Sequence, residues 1–393
     1  MKSFAALLSI VSLALGASVL HFKEDAAQAP MTLPMSHPSF DLDLNEVRLV
    51  ELEGQPPQWM TELDKVHLKA KGVNFLDITE AQDLGTVPRI QAFASFPKPN
   101  ATEKVKPILK TLSTDGPRAN LEKFTSFRTR HYRSETGRQS QQWLYSKISE
   151  ITAESASKAL RKLITVKEFP HSWGQNSIIV RINGSSTTDN GVVVISAHQD
   201  STNMWPFLPA PGADDDGSGT VTILEAYRAL IAADFHPVRT VEFHWYSAEE
   251  GGLLGSQAVA KEYEKNSAKV IAMSQFDMTA WVKRGTREEV GIITDFVDTG
   301  LTQFNMDLVD TYLDIPYVET KCGYACSDHA SWSKAGYPAA FTIESAFENS
   351  NKNIHSANDR IDISDEFSFT HMLEFSKLAV AFAVELGGWT EPA

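Results

Sequence analysis

The regular alternation of short apolar runs and helical segments beyond about Thr86 most constrains the fold of this 393-residue chain. The run GVVVISAH is rich in β-branched residues, as expected for a strand that is covered on both faces. Similar strand runs lie in RTVEFHWYSAEE, KVIAMSQFDM and GYPAAFTIES, with helical segments between them. This alternation predicts right-handed βαβ crossovers. We therefore expect an α/β domain with a mostly parallel, mixed central sheet flanked by helices.

Two further helices are predicted at the ends of this pattern. The first carries apolar residues spaced for one helical face, namely Trp143, Leu144, Ile148 and Ile151. The second closes the chain as a long helix over residues 367–386. No internal repeat is visible, so we expect one large domain over residues 89–393.

The N-terminus has the pattern of a secretory signal peptide. One lysine precedes an apolar run from Phe4 to Leu15, and small residues follow at positions 16–18. A membrane anchor is the alternative, but this run is shorter than the roughly 20 apolar residues that cross a bilayer. We therefore expect a signal peptide over residues 1–18 and a soluble, secreted protein.

Residues 19–88 differ from the rest of the chain because they are polar, contain prolines and are short of strand-like runs. Since this segment directly follows an export signal, we interpret it as a propeptide that assists folding or blocks the site until it is removed. Its end is placed near residue 88. A small accessory subdomain is the alternative interpretation.

Composition and charge narrow the possible partners. Hydrophobic residues make up 42% and charged residues 22% of the chain, which is typical of a globular protein. The formal net charge of -14 argues against nucleic acid or an anionic membrane as a partner. No amphipathic segment is left over, which favours a monomer. The glycosylation sequons at Asn100 and Asn183 agree with export.

Acidic residues follow several of the predicted strands. In open α/β sheets ligands bind beyond the carboxyl ends of the strands. The residues at these ends are His198, Asp200, Asp214, Asp215, Asp216, Glu249, Glu250 and Asp277. Three adjacent carboxylates in PGADDDGSG are unfavourable unless a positive group sits among them. A solvated acidic turn that caps the next helix is the alternative.

Carboxylates together with histidine indicate a zinc site. Asp200 lies two residues after His198 on an extended segment, so it can accept the imidazole N–H that does not bind metal. A buried structural histidine is the alternative. Two metals about 3.5–4 Å apart, with a shared carboxylate and a water, would explain the whole cluster. Manganese or cobalt would also fit nitrogen and oxygen ligands.

The motifs HQDS, PGADDDGSG, SAEEGGLLGSQ, QFDMT, CGYACSDHASW and IHSAND occur in the same order as in the secreted two-zinc leucine aminopeptidases. The chain resembles these enzymes, and the fungal ones most, from about Pro97 to the C-terminus. The resemblance implies terminal zinc ligands at His198, Glu250, Asp277 and His355. It also implies that Asp215 bridges two zinc ions and that Glu249 is the general base.

Further roles are implied by the same resemblance. Tyr324 would stabilise the oxyanion, while Asp200 and Asp216 would orient His198 and His355, respectively. Asp214 is given no role. Cys322 and Cys326 enclose only three residues, and we expect them to form a disulfide in an exported protein. Thiolate ligands for the metal are the alternative for these two cysteines.

Apolar residues flank the catalytic motifs and would line a pocket for the first side chain of a peptide, namely Met278, Phe341, Ile343, Phe347 and Ile354. Core packing is the alternative for these residues. A preference for leucine and other large apolar residues is implied by the resemblance. The substrate's free amino terminus adds a positive charge that the acidic site, or a metal, must accommodate, and this restricts cleavage to the chain end.

The sequence therefore predicts an extracellular two-zinc aminopeptidase. One alternative is a glutaminyl-peptide cyclase, which resembles this fold and uses one zinc ion. Another is a non-catalytic binding domain on the same scaffold, although none of the expected ligands is missing. A serine hydrolase is disfavoured because no Gly-x-Ser-x-Gly elbow occurs and Ser327 lacks that setting.

Overall fold

The computed structural model of the chain describes residues 33–87 and 96–390. The predicted signal peptide and the predicted end of the propeptide near residue 88 lie outside these ranges. The described residues from Met35 onward belong to one compact unit.

The N-terminal segment, defined here as described residues 35–87, contains a small antiparallel sheet and a helix. Its elements are β1 (Val47–Glu51), β2 (Gln58–Thr61), α1 (Glu62–Ala70) and β3 (Leu76–Asp77). Strand β1 is central and pairs antiparallel with both β2 and β3. A capping box starts α1, in which the Thr61 side chain accepts from the Asp64 N–H and the Asp64 side chain accepts from the Thr61 N–H.

The expectation that this segment is short of strands is wrong. In β1 only alternate residues are buried, so the segment has no continuous apolar run. One of its inward side chains is also charged, because Arg48 is buried and donates to Asp77 at 2.7 Å. Polar strands of this kind do not stand out in a search for apolar runs.

Beyond the N-terminal segment, three helices precede the main sheet: α2 (Thr102–Leu109), α3 (Asp115–Phe124) and α4 (Glu135–Ser155). The predicted helical face of α4 is correct, since Leu144, Ile148 and Ile151 are buried and Trp143 packs partly buried against the core. Ser134 caps the N-terminus of this helix, since its side chain accepts from the Gly137 N–H.

The main sheet has eight strands: β4 (Ile164–Phe169), β5 (Ser177–Ile182), β6 (Val192–His198), β7 (Thr240–Tyr246), β8 (Val270–Phe276), β9 (Val290–Ile293), β10 (Tyr317–Thr320) and β11 (Ala339–Ile343). Their spatial order is β10-β9-β11-β8-β6-β7-β5-β4. The pairs β6–β7, β6–β8, β8–β11 and β9–β10 are parallel, and the other three are antiparallel. The expected mostly parallel, mixed sheet is confirmed.

Helices cover both faces of this sheet. They are α5 (Gly219–Ala232), α6 (Leu254–Lys265), α7 (Thr299–Tyr312), α8 (His329–Lys334) and α9 (Phe369–Gly387). Alternate residues of β6 enter two different cores: Val193 and Ile195 pack with α4, α5 and α9, whereas Val194 packs with α6 and α8. This double burial explains the continuous apolar run of β6. Within the described ranges, every helix is too short or too polar to cross a membrane.

Candidate metal centre and active site

The predicted ligands meet at one edge of the sheet because β6, β7 and β8 are adjacent and parallel. His198 is the last residue of β6, Glu249 and Glu250 follow β7, and Asp277 directly follows β8. Three residues beside these positions, Ala248 (φ 58°), Met278 (φ 56°) and His355 (φ 56°), have left-handed backbone conformations. Such strained conformations cluster at functional sites because the surrounding structure holds them in place.

Two groups of side chains have the geometry of metal sites, and Asp215 belongs to both. The first ligand group is His198, Asp215 and Asp277, and the second is Asp215, Glu250 and His355. One Asp215 oxygen lies 3.1 Å from His198 Nε2, and its other oxygen lies 3.0 Å from His355 Nε2. A single carboxylate thus joins the two groups through separate oxygens.

The donor set fits metal ions. Within each group the ligand atoms lie within 4.8 Å of one another, and they are the nitrogen and oxygen donors that zinc accepts. Several buried donor atoms have no hydrogen-bond partner among the described residues, namely His198 Nε2, Glu250 Oε1 and Asp277 Oδ1. Because buried polar atoms are normally paired, these atoms point to a ligand that takes their lone pairs.

The electrostatics of the cluster favour added positive charge. Burial alone would lower the pKa of His198, but Asp277 and neighbouring carboxylates raise it well above its usual value. His355 behaves in the same way, since Glu250 and Asp215 raise its pKa to about 9 despite burial. Both imidazoles are therefore held in a strongly negative field, which cations would neutralise.

The carboxylates around the ligands fix the loops that carry them. Asp200 Oδ1 lies 3.5 Å from His198 Nδ1, and the two oxygens of Asp200 accept from the N–H groups of Glu249 and Glu250. Asp359, from the IHSAND motif, accepts from the N–H groups of Asp214 and Asp215 at 3.0 and 3.1 Å. These contacts of Asp359 and Asp200 with backbone N–H groups were not predicted from the sequence.

Asp216 does not occupy the position expected for it. Its oxygens accept from the N–H groups of His198, Gly219 and Met278 at 2.8–3.1 Å. The contacts of the His355 imidazole with carboxylates go instead to Asp215 and Glu250. The expectation that Asp216 orients His355 is therefore wrong, because these three backbone donors hold Asp216 beside β6 and β8.

Asp214 acquires a structural role. Its side chain accepts from Ser218, from the Ala280 N–H and from Asn351 Nδ2 at 3.0–3.2 Å. Asp214 therefore ties the segment Ala213–Ser218, called here the aspartate turn, to the loops after β8 and β11. Ser327 contributes in a similar way, since its hydroxyl donates to Asp277 at 2.6 Å.

Glu249 and Tyr324 line the same cavity as the two ligand groups. Burial raises the pKa of Glu249 well above the usual carboxyl value, and burial together with nearby carboxylates such as Glu249 raises the pKa of Tyr324. The phenol therefore stays protonated and can donate a hydrogen bond. The expected disulfide is confirmed, since Cys322 and Cys326 are bonded and enclose Tyr324.

The cavity has a volume of about 360 Å³. Ligand residues of both groups line the cavity. All five predicted pocket residues line it as well, namely Met278, Phe341, Ile343, Phe347 and Ile354. Because these side chains also belong to one apolar cluster, the part of the cavity wall that they form is hydrophobic. The geometry combines an apolar pocket with two adjacent candidate metal-binding groups and the carboxylate of Glu249, which belongs to neither group.

Comparison with known proteins agrees with this geometry. Residues 177–380 match the model of peptidase family M28. Leucine aminopeptidase 1 of Emericella nidulans is 49% identical over 372 residues, which cover 91% of this chain and 92% of the relative. The chain belongs to peptidase family M28. Leucine aminopeptidase 1 of Pyrenophora teres f. teres is 48% identical over 98% of both chains.

Solved structures give the same answer for the fold. The LapA aminopeptidase of Legionella pneumophila superimposes with a TM-score of 0.74 at 29% identity, covering 87% of this chain and 95% of that chain. The family expected from the sequence motifs is therefore confirmed, as is the fold of this M28 peptidase.

The N-terminal segment reaches the candidate metal centre of this M28 peptidase. Lys69, in the last turn of α1, donates through Nζ to Glu250 Oε2 at 2.7 Å and to the Glu250 carbonyl oxygen at 3.0 Å. Residues 72–75, which follow α1, line the cavity as well. Nothing in the local sequence around Lys69 distinguishes it from its neighbouring lysines, so this contact was not predicted.

Proposed function

We propose that this M28 peptidase is a secreted zinc aminopeptidase that releases N-terminal residues from peptides, with leucine and other large apolar residues preferred. The observation that carries this proposal is the position of Asp215 between two ligand groups, beside Glu249 and an apolar cavity. The resemblance to leucine aminopeptidases 1 supports the same activity.

We assign His198 and Asp277 to one zinc ion and Glu250 and His355 to a second, with Asp215 shared between them. Two zinc ions would supply an activated water near neutral pH and polarise the scissile carbonyl. The buried donor atoms without partners support this assignment.

The side chains around these ligands can move the proton and stabilise charge. Glu249, which no ligand group includes, takes a proton from the attacking water and delivers it to the departing amine. The Tyr324 hydroxyl donates to the developing oxyanion.

The cavity explains the restriction to the chain end. The first side chain of the substrate binds against the apolar wall formed by Phe341, Ile343 and their neighbours. The free amino group of the substrate would be accommodated at the ligand groups, either by a carboxylate or, as the neutral amine, by a metal ion. A blocked or internal peptide bond lacks this group, so we expect cleavage at the N-terminus.

The test is mass spectrometry of peptide products formed by the chain trimmed near residue 88. A leucine-initiated tripeptide should lose its first residue, whereas the same peptide with an acetylated N-terminus should remain intact. Cleavage of internal bonds would overturn the assignment as an aminopeptidase. Conversion of an N-terminal glutamine peptide to its cyclised form without hydrolysis would favour the cyclase alternative.

We further propose that residues 1–18 direct export and that residues 19–88 form an inhibitory propeptide. The contact of Lys69 with Glu250 supports inhibition, because it brings an ammonium group to a carboxylate that a zinc ion would need. The segment also pairs with the loop that carries Glu249 and Glu250, since the Asp77 N–H donates to the Gly252 carbonyl at 3.2 Å.

The far end of the segment is anchored outside the active site. The Glu264 carboxylate accepts from the N–H groups of Gly85 and Val87, and Lys261 pairs with Asp83 at 2.5 Å. These contacts hold the segment across α6, so a cut near residue 88 alone would leave it docked. We therefore propose that activation requires dissociation of the segment, which cleavage alone does not cause.

Export would also allow glycosylation of the two sequons. Asn100 is exposed, whereas Asn183 is half-buried and accepts from Arg181 Nε at 3.0 Å. We expect glycans to occupy Asn100 more fully than Asn183. We also expect the protein to be a monomer. The test is the mass that the protein loses when an endoglycosidase removes its N-glycans. Comparison with the Asn100→Gln and Asn183→Gln variants assigns this mass loss to each site.

A further inference from the structure

Arg130 is a buried cation that the reaction described above does not use. It lies in the loop between α3 and α4, it is fully buried, and its guanidinium carbon stacks 4.2 Å from the centre of the Phe124 ring. Burying an arginine is unfavourable unless its donors are paired. The partners of its donors are therefore informative.

The Arg130 guanidinium donates to three backbone carbonyls that belong to two ligand-bearing segments. Nε donates to the Gln199 carbonyl at 2.9 Å, between His198 and Asp200. Nη2 donates to the Gly212 carbonyl at 2.8 Å, and Nη1 donates to the Pro211 carbonyl. The planar guanidinium group thus connects the end of β6 to the residues just before the aspartate turn.

The Gly212 carbonyl that accepts from Arg130 also closes the aspartate turn. The Gly212 carbonyl accepts the Gly217 N–H at 3.1 Å, so the residues between them, including Asp215, are enclosed by one backbone bond. Gly212 has φ +54°, and a Cβ there would lie 2.9 Å from Arg130 Nη2. Glycine at this position therefore allows the guanidinium to approach.

The fixed charge of Arg130 complements the same segments. Burial lowers its pKa to about 10, and Asp359, Asp200, Asp216 and Asp215 act in the opposite direction. At neutral pH it stays charged and partly balances these carboxylates. Lysine would keep the charge, but it has no planar fork to reach three carbonyls at once.

We propose that Arg130 is a positioning residue that sets the separation of His198 and Asp215 and thereby the zinc affinity of the first ligand group. This inference rests on the proposed function, since it requires that the group binds zinc. Outer contacts of this kind typically change metal affinity by about 10–100-fold. A purely structural role would lower the stability of the metal-free protein and leave zinc affinity unchanged.

The test is competition between a chromogenic zinc chelator and the trimmed, metal-free protein, for wild type and Arg130→Lys. The account expects zinc binding that is at least about tenfold weaker in Arg130→Lys. Arg128→Lys is the matched control, because Arg128 lies on the same segment and donates to the Phe207 carbonyl, outside the ligand-bearing segments. Its zinc affinity should match wild type.

The outcomes separate this inference from the proposed function. Absence of zinc binding by wild type would refute the function itself. Zinc binding by wild type with an unchanged affinity in Arg130→Lys, or an equal loss in Arg128→Lys, would refute the role of Arg130. If Arg130→Lys does not fold, Arg130→Gln replaces it, because the neutral amide avoids burying an unpaired ammonium group and still cannot reach three carbonyls at once. Wild-type zinc affinity in Arg130→Gln would then overturn the inference.

Discussion

Replacing Lys69 by methionine tests how the N-terminal segment inhibits the enzyme. The Lys69 side chain is 19% exposed and makes two hydrogen bonds to Glu250. Each hydrogen bond to a charged group stabilises a structure by about 1.5–3 kcal/mol. Part of this gain is offset by the cost of burying the ammonium group, which methionine avoids, so we expect docking to weaken by about 2–4 kcal/mol.

This loss predicts a measurable rise in activity. A change of about 2–4 kcal/mol raises the fraction of undocked segment by about 30–1,000-fold, up to the limit at which every molecule is open. The assay is hydrolysis of leucine-p-nitroanilide by the chain that starts near residue 19, compared with the chain trimmed near residue 88. The rate of Lys69→Met should approach that of the trimmed protein.

The matched control is Lys71→Met, because Lys71 is exposed at the end of the same helix. It removes the same charge from the segment without touching the site and should leave the longer chain inhibited. The reasoning is refuted if Lys69→Met is as inactive as the untrimmed wild type. Equal rates for trimmed and untrimmed wild type would instead refute inhibition by the segment altogether.

Three other changes test the remaining assignments. Glu249→Gln should keep both zinc ions and lose about 10²–10⁴-fold in kcat, since it removes the proton acceptor; near wild-type turnover would exclude Glu249 as the base. Asp215→Ala should lose zinc measured by mass spectrometry, and full occupancy would contradict a shared ligand. The pKa of Asp77 is held below its usual value because Lys65 and Arg48 outweigh the effect of burial. Its stabilising contribution is therefore present above the unfolded carboxyl pKa of about 3.9 and is lost as pH falls further. Thermal unfolding of the untrimmed chain should become less acid-sensitive in Asp77→Asn, and an unchanged acid sensitivity would show that this carboxylate does not control docking.

The central strands and most of the site residues could be predicted from the sequence for a physical reason. Strands β6, β7 and β8 are covered on both faces, so they appear as apolar runs, and their parallel arrangement places His198, Glu250 and Asp277 at one edge. The edge strand β4 was not predicted, because its residues are only half-buried or exposed and charged residues interrupt its apolar ones.

Contacts between distant segments were harder to predict. Lys69 and Glu250 are 181 residues apart, and Arg130 donates to a carbonyl 82 residues away. No periodicity in the sequence links such pairs. Because every residue has a backbone carbonyl, the residue type does not indicate which carbonyl accepts a hydrogen bond. The mistaken partner of Asp216 has the same origin, because its oxygens accept from backbone N–H groups, which every residue except proline carries.

Metal content of the purified chain trimmed near residue 88 tests the central claim most directly, when it is measured beside hydrolysis of leucine-p-nitroanilide with and without a chelator. The account predicts about two zinc ions per chain, loss of hydrolysis when the chelator removes them, and recovery when zinc is returned. One zinc ion without hydrolysis, or hydrolysis that persists in the metal-free protein, would contradict it.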